Sequence, residues 1–168
     1  MDYLRVLDHI EEFKQLLEEQ APNTFKWKIE RFENTGHVPL FKLNNALLFF
    51  FSELTMTEER SKLSFEEIDL HFKKLSKEYG FTVLPKSDAL LDIAFNFRKE
   101  NNFDKAIDMV SYAIKLYPDN ATNYYAKGIF HYQNEERELA IESLNKALEI
   151  NPEYSRAKSL LERLKSNK

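Results

Sequence analysis

Apolar positions in the first segment return at helical spacing. Tyr3, Leu7, Ile10, Phe13 and Leu17 recur every three to four residues, with Asp8, Glu11, Glu12, Lys14, Glu18 and Glu19 between them. The pattern stops at Gln20, because the residue before Pro22 is steered away from helix. The period then falls to two. Phe25, Trp27 and Ile29 alternate with Lys26, Lys28 and Glu30, which predicts a half-buried strand over residues 25–30. Thr35 to Pro39 reads as a turn, and Leu40 to Leu54 as a second helix. The centre of that helix, Leu47 to Phe51, is apolar on every side, a pattern normally found where a helix is buried all round. Thr55 to Lys62 is polar and reads as a loop. Ser64 with Glu67 forms a capping box, and Phe65, Ile68, Phe72, Leu75 and Tyr79 make a stripe that ends at Gly80.

From Ser87 to Pro152 the chain is written twice. A shift of 34 residues places Leu90, Ile93, Ala94 and Phe97 on Tyr124, Lys127, Gly128 and His131. The same shift places Ala106, Val110, Ala113 and Pro118 on Ala140, Leu144, Ala147 and Pro152. The spacing predicts helices at 88–100, 103–117, 121–134, 136–150 and 153–165. Ala94 and Gly128 are small where paired helices touch, and Pro118 and Pro152 end the second helix of each pair.

These residues resemble the tetratricopeptide repeat family. Tyr124-x2-Lys127-Gly128-x2-His131, Ala140-x3-Leu144 and Pro152 follow its pattern, with Lys127 standing where the family usually has Leu. The resemblance implies repeats at 87–120 and 121–154 and a polar-backed capping helix at 153–166, which carries Tyr154, Ala157, Leu160, Leu161 and Leu164. It also implies a partner-binding concave face lined by the first helix of each repeat. By register that face holds Leu91, Phe95, Arg98 and Lys99 from one repeat and Tyr125, Ile129, Tyr132 and Gln133 from the other. The family's clamp for a terminal carboxylate uses Lys and Asn. Leu91, Phe95, Tyr125 and Ile129 stand in those places, so the expected groove is apolar and aromatic. Its occupant is either an apolar peptide or the chain's own N-terminal half.

Composition narrows the function classes. The 168 residues carry 24 basic and 28 acidic side chains, a net charge of −4, with no basic stripe of the kind that nucleic-acid binders show. Cys is absent, which excludes disulfides and thiolate-held metals. His9 and His71 have no second ligand at helical spacing, and His131 falls on a packing position, so neither metal nor cofactor is expected. Met1-Asp2 leads into an amphipathic pattern rather than a signal peptide, and no apolar run is long enough to span a bilayer. As it stands the chain reads as cytoplasmic, or as exported if it is a piece of a secreted enzyme.

A lone strand leaves both backbone edges unpaired, which is costly when buried. Either residues 25–30 pair with a second copy in a homodimer, or the chain has lost its sheet. The second alternative has a resemblance behind it. Phe32-Glu33-Asn34-Thr35-Gly36-His37-Val38-Pro39-Leu40 resembles the end of the esterase family related to enterochelin esterases, α/β-hydrolases in which a last strand leads to the catalytic His. An ungapped match on Val38-Pro39 puts Thr35 at that His and His37 at a Ser. His37 takes the catalytic place only after a two-residue deletion, and otherwise reads as a turn histidine. No Gly-x-Ser-x-Gly is present, so this chain lacks the nucleophile.

The expected fold is mainly α. It is a two-repeat superhelix with a capping helix over 83–168, preceded at 1–82 by a helix–strand–helix region like the end of an α/β-hydrolase. The expected function is protein–protein interaction without catalysis. The alternative is the C-terminal part of a serine esterase, whose partner would be its own missing hydrolase domain.

Overall fold

The computed structural model describes residues 3–22, 25–30 and 43–166. They fold as α1 (Tyr3–Gln20), α2 (Leu43–Phe51), α3 (Phe65–Tyr79), α4 (Ser87–Lys99), α5 (Phe103–Leu116), α6 (Ala121–Gln133), α7 (Arg137–Ile150) and α8 (Ser155–Ser166). Short 3-10 turns follow α2 at Ser52–Leu54 and precede α3 at Arg60–Lys62. The chain divides into two compact units, Met1–Glu53 and Leu54–Lys168.

The first unit differs from its reading in the sequence at one element. Residues 25–30 form no strand, and no strand occurs among the described residues. The alternation is present, since Lys28 Nζ reaches Glu30 Oε1 at 3.4 Å, as residues two apart do on an extended backbone. What is missing is a ladder. A strand is completed by a neighbour's backbone, and the described residues offer none. The helix–strand–helix arrangement is therefore not formed. His37 and the surrounding turn lie outside the described residues. α2 begins at Leu43 and, against the expectation for so apolar a helix, none of its residues is buried.

The second unit is built on the repeat. Ser64 caps α3 with both bonds of the capping box: Glu67 N donates to Ser64 Oγ at 3.3 Å, and Ser64 N to Glu67 Oε2 at 2.8 Å. Gly80 ends the helix at φ +73°, a conformation only Gly adopts freely. Ser76 Oγ accepts from Val83 N at 2.8 Å, which ties the crossing segment back onto α3. α3 packs on α5, α4 on α5 and α6, α5 on α6, α6 on α7, and α7 on α8. Each helix from α4 to α7 thus has neighbours on two sides, as stacked helix pairs require.

The period shows in the backbone as well as in the side chains. Within each repeat the turn between helices places one residue in the left-handed region, Asn101 at φ 59° and Glu135 at φ 62°, 34 residues apart. Asn102 N then donates to Phe97 O, and Glu136 N to His131 O, both at 2.9 Å, the long bond of a Schellman ending. Ala94, Ala106, Ala113, Ala140 and Ala147 are wholly buried. A Cβ on Gly128 would come within 2.9 Å of Leu144 Cγ and 3.2 Å of the Ala140 carbonyl oxygen, so α6 and α7 touch there with no room for a side chain.

Two apolar clusters close this unit. One joins Ile68, Phe72 and Leu75 of α3 to Leu90, Ile93, Val110 and Phe130, and the other joins Ala140, Leu144 and Ala147 to Leu160, Leu161 and Leu164 of α8. Most polar groups between the helices are matched, the buried Asn123 Nδ2 being an exception. Tyr112 donates to Asp69 Oδ1 at 3.0 Å, and burial together with that carboxylate holds the phenol far above its ordinary pKa. Tyr117 donates to Pro85 O at 2.8 Å. Arg137 donates to the Leu164 carbonyl and fastens α7 to α8.

Candidate functional site

The residues expected on the concave face divide in the structure. Leu91 is buried in the core. Phe95 is half-buried, its ring edge-on to Phe130 at 5.2 Å and beneath the guanidinium of Arg98 at 5.4 Å. Arg98 reaches Gln133 Oε1 at 3.5 Å, and Lys99 is exposed beside Asn96 Oδ1. Tyr125, Ile129, Tyr132 and Gln133 come together along one groove of about 590 Å³.

The opposite wall of that groove is α8, with Ser155, Arg156, Ser159, Leu160 and Arg163. These residues fall outside the set read from the two repeats. The signal for two of them was present: one more step of 34 carries Leu91 and Tyr125 to Ser159, and Phe95 and Ile129 to Arg163. α8 is thus a third first helix in register as well as a cap. No periodic argument marks Arg156 or Ser155.

The floor is aromatic and fixed from behind. Tyr125 packs edge-on to Tyr154 at 5.0 Å, and Ile129 touches both apolar clusters. Tyr132 is 39% exposed, with the Arg163 guanidinium over its ring at 5.4 Å. Among the described residues, none from 64–85 lines this groove. The groove thus has Tyr, Ile and Leu on its floor and Arg at its rim.

Behind the groove, His131 occupies the place that Phe97 has in the first repeat and is as deeply buried. Its Nδ1 donates to Glu136 Oε2 at 2.6 Å, and this bond holds the Glu136 carboxyl below the usual range. In the first repeat the place of Glu136 is taken by Asn102, which caps α5 by accepting from Lys105 N. The second repeat gives up that side-chain cap and seats a polar ring in the core instead. His9 lies beside Glu12 and His71 beside Phe72, and among the described residues no three His, Asp or Glu side chains gather as a metal would need. No helix among the described residues is long and apolar enough to cross a membrane.

The chain matches no curated protein. Residues 97–164, from the end of α4 to the last turn of α8, match the tetratricopeptide repeat family.

Proposed function

We propose that this chain is a protein-interaction module that binds a peptide segment of a partner in the groove between α6 and α8 and performs no chemistry on it. The observation that carries the reading is the contrast within one repeat. Phe130 is wholly enclosed, while Tyr125, Ile129 and Tyr132 on the same helix line an open groove. Large aromatic surface held rigidly and left uncovered is what recognition sites present. Residues 83–168 are the working repeat domain in this reading, and α3 closes its N-terminal end, as the packing of Ile68, Phe72 and Leu75 supports. Phe95, Arg98 and Lys99 do not line the groove, and Leu91 is buried in the core.

The test is selection of a random peptide library on the immobilised chain, repeated with Tyr132→Glu. Tyr132 is exposed enough for that variant to fold. Enrichment by the native chain and its loss in the variant are expected. No enrichment, or enrichment that the variant retains, overturns the groove as the site.

The esterase reading finds no support among the described residues, where residues 25–30 form no sheet, and the family match lies wholly in the repeat half. Turnover of an activated ester by the purified chain, lost in His37→Ala, would overturn the non-catalytic reading.

A further inference from the structure

The cations on α8 identify the chemistry of the segment that fits the groove, an inference that rests on the reading just given. On α8 itself Lys158 is neutralised locally, 3.7 Å from Glu153. The two arginines that α8 turns into the groove are different. Arg156 and Arg163 are exposed, and neither has a carboxylate within ion-pair distance among the described residues. Among the described residues no Asp or Glu lines the groove. The chain carries a net charge of −4, so the groove reverses the sign of the molecule around it.

A capping helix needs a polar outer face, but Ser, Thr or Gln would serve that need as well as Arg. Where Phe95 and Ile129 stand in the repeats, the third helix has Arg163, its guanidinium 5.4 Å from the centre of the Tyr132 ring. A guanidinium stacked on a ring keeps its N–H fork free for a planar acceptor, and carboxylate fits it in two bonds. Seven residues separate Arg156 from Arg163, two turns of helix and about 10 Å along the axis. That span lies between those of acidic side chains two and four residues apart on an extended peptide, spacings at which both point to one face.

We infer that the groove takes an acidic peptide segment of a partner protein. Two of its Asp or Glu side chains pair with Arg156 and Arg163, and an aromatic or aliphatic side chain between them lies on Tyr125, Ile129 and Tyr132. The Ser155 and Ser159 hydroxyls are placed to donate to the same carboxylates or to the peptide backbone.

The experiment uses the full chain and peptides of about twelve residues selected from a random library, which presumes no sequence. The expected result is a pool enriched in Asp and Glu, with an aromatic or aliphatic residue between them. Affinity of the selected peptides falls about tenfold or more in the Arg156→Gln/Arg163→Gln double variant. It is largely kept in the double Lys variant, and it weakens with rising salt. Both side chains are exposed, so circular dichroism of the variants should match the native chain. A selected pool with no acidic excess over the starting library overturns the inference while leaving the groove as a peptide site. Affinity within about twofold of native in the double Gln variant does the same. A pool that is not enriched at all fails the parent reading instead.

Discussion

Leu144 and Phe50 are both large apolar residues inside helices, yet Leu144 is wholly buried and Phe50 is 47% exposed. The difference is one between their units. In the repeat unit, apolar residues alternate with small ones at fixed intervals, and each bulky group meets a neighbour's Ala or Gly. In the first unit the apolar residues are as dense, but among the described residues no complementary surface accompanies them. Ile10, Phe13 and Leu16 of α1 and Leu43, Leu47, Leu48, Phe50 and Phe51 of α2 are all exposed. Apolar content makes a core only where a second surface is shaped to receive it.

The largest contrast should appear in hydrogen exchange. Amides within α5, which open only with the whole repeat unit, should be protected by about a thousandfold or more, and those of residues 27–30 hardly at all. Protection at 27–30 that grows with protein concentration would show backbone pairing between copies, and would restore the strand as an intermolecular one.

Truncation gives the next contrast. Phe130→Ala leaves a cavity in the enclosed cluster and should cost about 3–5 kcal/mol in urea unfolding. Phe50→Ala should stay within about 0.5 kcal/mol. Similar costs at both positions would mean that α2 is covered in solution.

Overpacking is a smaller test of the same fit. Gly128→Leu puts a side chain where even a Cβ lies 2.9 Å from Leu144 Cγ, and should cost about 1–3 kcal/mol. An unchanged melting temperature would show that α6 and α7 can move apart, and that the closeness of the repeats is not what stabilises them.

The mildest effect is confined to acid. The His131 bond lowers the pKa of Glu136 in the folded chain below its ordinary value of 4.5. Its contribution is therefore present above that ordinary value and is lost as pH falls through the lower, folded one. Glu136→Gln should flatten this part of the acid limb of a stability–pH curve. It should not abolish the limb, because Asp69 is lowered in the same way, chiefly by its bond from Lys73. An acid limb identical in Glu136→Gln would remove the pair from the balance.

The repeat half was legible because its rule is local and recurs. Ala94 with Gly128, Ala106 with Ala140, and Pro118 with Pro152 each state one packing requirement twice, and two statements in register rarely arise by chance. Helix limits followed within two residues, from Ser87–Lys99 to Ser155–Ser166. The capping box at Ser64 was legible for the same reason, since both of its bonds lie within one turn. The strand was not. Alternation at residues 25–30 describes how side chains point, whereas a strand is defined by hydrogen bonds to a partner that no local pattern supplies.

By itself, then, the sequence determined the repeat, its helices, its close contacts and the apolar character of the face between them. Only the tertiary structure decided which of those apolar positions are open. Leu91 and Tyr125 have the same register, but Leu91 lies in the core and Tyr125 in the groove. It also decided that α8 forms the second wall and brings Arg156 and Arg163 to it. The physical reason is that register fixes the direction of a side chain from its own helix, while exposure depends on what the next helix places opposite.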